Sequence, residues 1–259
     1  MITGSGISVA ALTVIFFVTS LVTVVTGSTS LITIPVLLQF GIEPRTAVAT
    51  NMLALTLLSF GGLLPFARTP VIDRARAPLL VALTLVGSGA GAFLLFAIPS
   101  KWMTLIIPAA MMAVLFLLIF EPHAAADAVP SPARTRLGYI VMAVLSIYGG
   151  FLSGGYATLV TAAGILFFRY PFLRAMAMSR ALNTASSLIA VGVFAWYRII
   201  DWRLGIILSV ASFLGGLMGS RWAMKIPGKL LKRLFLIAVA ALALKTLIFD
   251  VPWRELTTG

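Results

Sequence analysis

The sequence predicts an all-α polytopic membrane protein made of two inverted repeats. Each repeat is expected to begin with a broken helix or a re-entrant hairpin and to continue with three transmembrane helices. The first observation is composition: 61% of the 259 residues are hydrophobic and 10% are charged, whereas soluble domains carry about 25% charged residues. The second is that uncharged runs of about 20 residues, enough to cross a bilayer, recur at 79–99, 103–120 and 204–220. The third is an internal repeat.

The two halves of the chain match at a spacing of 128 residues, and the sequence alone aligns them without a gap. The matched pairs include Gly27 with Gly155, Thr33 with Thr161, Asp73 with Asp201, Gly87 with Gly215, and 98–101 with 226–229. Duplicated apolar halves are typical of secondary transporters. We therefore assign the first repeat to residues 1–120, a linker to 121–136, the second repeat to 137–250 and a short tail to 251–259.

Each repeat is expected to open with an interrupted helix. No charged residue precedes Glu43, and a continuous helix over 1–42 would be about 63 Å long, twice the hydrocarbon thickness. The poor helix formers at 26–30 mark the interruption. The second half shows the same feature at Gly149-Gly150 and at 153–155. Whether residues 7–41 form a re-entrant hairpin or two short full crossings is left open by the sequence.

Three ordinary spans follow in each half. They are predicted at 46–66, 78–98 and 102–120, and again at 174–195, 204–222 and 233–250. The stretch from Glu121 to Arg136 is rich in proline, alanine and serine, which is typical of a linker.

The orientation follows from the positive-inside rule. An opening element that returns to its starting side makes the repeats inverted, whereas a single crossing makes them parallel. Parallel repeats would put 8 and 9 basic residues on the two sides, which is no bias, but inverted repeats put 12 on one side and 5 on the other. The twelve are Arg68, Arg74, Arg76, Arg134, Arg136, Arg169, Arg174, Arg221, Lys225, Lys229, Lys232 and Arg233, and the five are Arg45, Lys101, Arg198, Arg203 and Arg254. We expect a multi-pass inner-membrane protein with a cytoplasmic linker and both termini outside.

The net charge of +12 would favour nucleic acid as the partner of a soluble protein. Here the basic residues occupy loops, where they face an anionic leaflet, so the lipid bilayer is the expected partner and nucleic acid is not. The chain has no cysteine, its one histidine is His123 in the linker, and no predicted span holds Asp or Glu at its centre. We therefore expect no catalytic residues, no metal site, no cofactor and no enzyme activity.

The helix interruptions are the first candidate binding elements. A helix that starts inside the membrane presents unsatisfied N–H groups and a partial positive charge, which together bind anions. The candidate residues are Gly27, Ser28, Thr29, Ser30, Gly154, Gly155 and Tyr156. The alternative is that the small residues only permit close helix packing.

The second candidate is the polar face of the helix that follows each interruption. Arg180 shares such a face with Asn183 because the two lie three residues apart, and Ser179 and Asn51 occupy equivalent positions in the two halves. The alternative for Arg180 is that its guanidinium extends along the helix to the membrane surface.

The order and spacing of these motifs resemble the sulfite exporter TauE/SafE family. The segments that carry the resemblance are Thr26-Gly27 with 34–38 and 47–51, then 148–151 with Gly154-Gly155, the turns at 71–73 and 199–202, and 215–221. The resemblance covers nearly the whole chain. It implies an inner-membrane permease for sulfur-containing anions such as sulfite and organosulfonates.

We therefore expect a secondary transporter, a permease or exporter that moves a small anion by alternating access. Its direction of transport, coupling ion and oligomeric state are left open. The alternative is a membrane scaffold or assembly subunit that transports nothing, because a scaffold needs no polar residues at mid-depth.

The inverted arrangement is testable by labelling single introduced cysteines in this cysteine-free chain. A membrane-impermeant thiol reagent should modify Pro130→Cys from the cytoplasmic side and Gly259→Cys from the outside, because the charge bias puts the linker and the C-terminal tail on opposite sides. Labelling of both positions from one side would contradict the arrangement.

Overall fold

The structure is a computed structural model that describes residues 6–26, 29–67, 69–98, 131–227 and 230. These residues form eight α-helices. The first half contains α1 (Gly6–Thr26), α2 (Ser30–Gln39), α3 (Pro44–Ala67) and α4 (Ala77–Ala97), and the second half contains α5 (Pro132–Phe151), α6 (Tyr156–Phe168), α7 (Phe172–Trp196) and α8 (Trp202–Ala223).

Four of the six predicted spans fall on helices of nearly the same extent, namely α3, α4, α7 and α8. The spans predicted at 102–120 and 233–250 lie outside the described residues. By length and composition, α3, α4 and α8 are long and apolar enough to cross a membrane. One boundary differs from the prediction: residues 132–136, assigned to the linker, are helical, because Ser131 caps α5 and Pro132 occupies its first position.

The helix interruptions begin after Thr26 and after Phe151, within the predicted regions, but Gly149-Gly150, predicted as part of the second interruption, lie inside α5. In each half the second helix runs back along the first. Gly138 near the start of α5 lies against Phe167 and Phe168 at the end of α6, while Gly149 lies against Tyr156 at its start. In the first half Leu12 of α1 and Leu37 of α2 belong to one core cluster. With 10 and 13 residues, α2 and α6 are about 15 and 20 Å long, which is shorter than the bilayer core.

The first helix of each half packs on the last described helix of the other half. Gly87 of α4 lies against Ala143, Ser146 and Ile147 of α5. Its repeat partner Gly215 of α8 makes the same contacts with Phe17, Ser20 and Leu21 of α1. These contact residues are 126 apart rather than 128, so the gapless alignment is wrong for the opening helices. The second half therefore holds two additional residues between Ile147 and Gly215.

The contacts also give the relative directions of the helices. Gly87 and Gly91 of α4 follow α5 from Ala143 toward Phe151, so α4 and α5 run the same way. Leu12 of α1 clusters with Leu204 at the start of α8, and Gly215 contacts α1 further on, so this pair is also parallel.

The two long central helices, α3 and α7, run in opposite directions. Asn183 of α7 contacts Ser59 of α3, and Phe66 at the end of α3 clusters with Met176 near the start of α7. Small residues let the backbones approach closely: Gly62 of α3 touches both Arg180 of α7 and Ser220 of α8. The interior of the bundle is therefore built around α3.

A matched pair of glycine substitutions tests this packing. Gly91→Ala should lower the stability of the purified protein by about 1–3 kcal/mol, because the added methyl group would overlap the backbone of Ile147. Gly192→Ala should leave stability unchanged or raise it slightly, since nothing lies within 4 Å of the new methyl group and alanine favours helix. Thermal unfolding in detergent measures both. Equal melting temperatures for the two variants would contradict the α4–α5 contact.

Candidate functional site

The two helix interruptions meet in a buried cluster of hydroxyl and amide groups. Thr33 Oγ1 donates to Asn51 Oδ1 at 2.6 Å, and Asn51 Nδ2 donates to Ser30 Oγ at 3.0 Å. The hydroxyls of Ser30 and Ser153 are hydrogen-bonded at 2.9 Å. All four side chains are at most 4% exposed. A single chain of hydrogen bonds thus joins the first half of the protein to the second.

Local backbone geometry explains the position of the second interruption. Gly155 has φ of +75° and Ser153 has φ of +59°, and both values lie in the left-handed region. Glycine adopts this conformation freely, whereas a serine there is strained and must be held by its surroundings. The reversal of the chain between α5 and α6 places the Ser153 hydroxyl opposite Ser30.

Arg180 reaches the first interruption from α7. Its side chain is 2% exposed, and one terminal guanidinium nitrogen donates to the carbonyl of Thr23, near the end of α1, at 2.8 Å. The hydroxyl of Thr23 is in turn hydrogen-bonded to that of Thr29. The guanidinium therefore lies inside the bundle rather than at the membrane surface.

One turn further along α7, Asn183 Nδ2 donates to Ser59 Oγ at 2.8 Å. Its carbonyl oxygen is buried and, among the described residues, has no hydrogen-bond partner, and the same holds for the Ser220 hydroxyl. Buried polar atoms left in this state cost roughly 1–3 kcal/mol each. They are available to a ligand that enters this region.

The structure brings together four of the predicted site residues, Thr29, Ser30, Asn51 and Arg180, and it places Asn183 one turn away. Ser179 instead donates to the carbonyl of Ala157 at 2.7 Å, which ties α7 to the first turn of α6. Gly154 accepts a hydrogen bond from the Tyr148 hydroxyl. Gly155 forms the turn before α6. Gly27 and Ser28 lie outside the described residues.

Tyr156 differs from its predicted role as a hydroxyl donor at the interruption. Its hydroxyl lies 3.4 Å from that of Ser146 on α5, because α6 folds back along α5 and carries the ring with it. Sequence reasoning missed Thr23, Thr33 and Ser153 as members of the cluster. The recurrence of Thr33 as Thr161 was a usable signal, whereas nothing local marks Ser153 as a contact of Ser30.

The chemistry of the cluster favours an anion. It combines a buried guanidinium with several hydroxyls and with the start of α2, where the first N–H groups of a helix lack intrahelical partners. Within the described ranges, no three His, Cys, Asp or Glu side chains are grouped closely enough to hold a metal ion.

The importance of Asn51 can be tested by Asn51→Leu. Stability should fall by about 1–3 kcal/mol, because Ser30 and Thr33 would each lose a buried hydrogen-bond partner. Thr56→Val on the same helix is the control, since among the described residues the Thr56 hydroxyl bonds only to the carbonyl of Met52 one turn back. Thermal unfolding in detergent is the measurement. A control variant as unstable as Asn51→Leu would remove any special role for the cluster.

Comparison with known proteins gives a consistent result. The model of the sulfite exporter TauE/SafE family matches residues 12–246. The chain is 26% identical over 240 residues to the probable membrane transporter protein ORF9 of Sinorhizobium sp, covering 92% of each protein. It is 26% identical over 254 residues to the probable membrane transporter protein YfcA of Escherichia coli (strain K12), covering 96% of this chain and 94% of that one.

A probable membrane transporter protein of Haemophilus influenzae is 24% identical over 242 residues, which cover 92% of this chain and 93% of that protein. No solved structure matches the chain. Because the family model spans most of the chain, including both helix interruptions and Arg180, this protein belongs to the sulfite exporter TauE/SafE family of membrane proteins.

Proposed function

We propose that the protein is an inner-membrane secondary transporter of a small sulfur-containing anion, such as sulfite or an organosulfonate, that works by alternating access without an organic cofactor. The observation that carries the proposal is the buried Arg180 beside the meeting point of two helix interruptions. Family membership and relatives that are named as probable membrane transporters support it.

The anion preference follows from the groups that surround this point. Removing an anion from water is costly unless its charge is compensated. A guanidinium offers two parallel N–H groups to an oxyanion, and a helix start offers backbone N–H groups. Arg180 supplies the guanidinium and the start of α2 at Thr29 and Ser30 supplies the helix terminus, and both Arg180 and Thr29 contact Thr23.

We also propose that the two halves are inverted in the membrane. Since α2 returns along α1, the path of the chain makes α4 run opposite to α1. The second half opens with α5, which runs parallel to α4 and hence opposite to α1. This direction supports inversion, as does the distribution of basic residues, which favours a cytoplasmic linker and external termini.

Alternating access is supported by the reciprocal packing of α1 on α8 and of α5 on α4. In inverted-repeat transporters the substrate site lies at the interface between repeats, and the two halves exchange roles as the site opens to each side. The Ser30–Ser153 contact lies at such an interface.

The test is anion flux into liposomes that contain the purified protein. Sulfite, thiosulfate and small organosulfonates should be compared with sulfate and chloride. We expect flux above that of empty liposomes for at least one sulfur-containing anion. Absence of flux for every anion in the panel would contradict the transport function and favour a scaffold.

Substitutions of Arg180 test the site itself. Arg180→Lys should weaken substrate affinity about tenfold, or roughly 1.4 kcal/mol, because the charge stays but the bidentate fork is lost. Arg180→Gln should weaken it further because the charge is also lost. Arg203→Gln, at an exposed arginine of α8, is the control and should bind normally. Equal affinity of Arg180→Lys and the wild type would remove Arg180 from the site.

A further inference from the structure

One end of the bundle carries the loop between α3 and α4 and the loop between α6 and α7; we name it the Asp73 face. Here the Tyr170 hydroxyl donates to Asp73 Oδ2 at 2.7 Å. Arg76 forms an ion pair with the same carboxylate oxygen at 3.1 Å, and its guanidinium lies over the Phe168 ring, 5.8 Å from the centroid. We name these four residues the latch.

The latch joins the two halves of the protein. Asp73 and Arg76 belong to the first half, and Phe168 and Tyr170 to the second. Tyr170 is 2% exposed. Burial raises the pKa of Asp73, but the hydrogen bonds from Tyr170 and from the Arg76 backbone, with the charge of Arg76, lower it more, so that the pKa lies below its usual value. A charged acceptor makes a stronger hydrogen bond than a neutral one.

The two oxygens of the Asp73 carboxylate accept hydrogen bonds from different groups. Oδ1 accepts from the backbone N–H groups of Ala75 and Arg76 at the start of α4, whereas Oδ2 receives Tyr170 and the Arg76 side chain. The turn that leads into α4 therefore keeps its hydrogen bonds to Asp73 when the contact with Tyr170 is broken. Removing the Tyr170 hydroxyl removes its hydrogen bond to Asp73 across the halves and leaves this turn in place.

At the opposite end of the bundle, the Asp201 face, the described residues form no contacts equivalent to those of the latch. At a spacing of 128 residues Asp201 corresponds to Asp73, but Ile42 and Leu204 stand in the positions of Tyr170 and Arg76. Asp201 caps α8 through Leu204 N–H at 3.0 Å. Its own backbone N–H donates to Thr50 Oγ1 at 3.1 Å, which is a neutral bond between the halves. Phe96 stacks on Tyr197 at this face with centroids 3.9 Å apart.

We propose that the latch is a one-sided gate, which holds the Asp73 face closed in this conformation and separates when the transport site opens toward that face. The proposal rests on the proposed transport function, because alternating access requires contacts between the halves to break on the side that opens. Tyr170 lies two residues before α7, the helix that carries Arg180. Movement at the gate is thereby connected directly to the site.

One cysteine reporter at each face measures, through its labelling rate, whether that face is open. Ser220→Cys and Ser209→Cys replace buried hydroxyls that have no partner among the described residues and differ from serine by one atom. Ser220 lies near the end of α8 at the Asp73 face, and Ser209 lies nearer its start at the Asp201 face. Because the chain has no native cysteine, a thiol reagent in lipid nanodiscs, which expose both faces, modifies the reporter alone.

Tyr170→Phe should raise the labelling rate of the Ser220→Cys reporter about tenfold, the size expected for loss of one charge-assisted hydrogen bond. The labelling rate of the Ser209→Cys reporter should not rise. Tyr139→Phe is the matched control, since Tyr139 packs edge-on against Phe168 with centroids 5.3 Å apart, and its labelling should equal that of the wild type. Arg76→Gln is a second substitution in the latch that should raise the labelling rate of the same reporter.

Unchanged labelling of the Ser220→Cys reporter in both Tyr170→Phe and Arg76→Gln would overturn the gate. An equal rise in the labelling rates of both reporters would also overturn the gate, since that result indicates general loosening of the bundle. The labelling uses no substrate. Failure of anion flux would therefore count against the transport function alone, whereas failure of the labelling shift would count against the gate alone.

Discussion

Helix interruption inside an apolar bundle is the constraint on which the rest of this structure depends. Each break exposes peptide groups that lipid cannot satisfy, so irregular backbone is tolerated only where protein surrounds it or a cavity receives it. Here the first break is covered by α3 and α7, whose side chains Asn51 and Arg180 supply hydrogen bonds to Ser30 and to the Thr23 carbonyl. Next to the second break, Ser179 of α7 donates to the Ala157 carbonyl. The long central helices thus supply polar partners at the interruption as well as apolar side chains to the core.

Close packing makes this coverage possible. Gly62 lets Arg180 and Ser220 lie against α3, and Gly216 of α8 lies against the backbone of Leu58. Without a hydrophobic driving force between helices in lipid, such small-residue contacts and the hydrogen bonds they permit supply much of the association energy. The same contacts bring polar groups from four helices to one point, and that convergence is the physical basis of the proposed anion site.

The two halves are equivalent in topology but not in chemistry. Arg180 has Met52 as its counterpart, and Tyr170 has Ile42. Because of the first difference, α7 carries a buried cation where the equivalent position of α3 carries a methionine. The second gives the Asp73 face a tyrosine hydrogen bond to Asp73 that has no counterpart among the described residues of the Asp201 face.

The sequence by itself determined the helical class, the positions of both interruptions and four of the six spans, because apolar run length and helix-breaking residues are local properties. Only the tertiary structure decided which polar groups meet. Ser30 pairs with Ser153, 123 residues away, Arg180 turns inward to Thr23, and Tyr156 turns toward α5. The two additional residues of the second half were also invisible to the gapless alignment, since only the packing of Gly87 and Gly215 reveals them. Contacts between residues this far apart depend on the approach of whole helices, which no local pattern encodes.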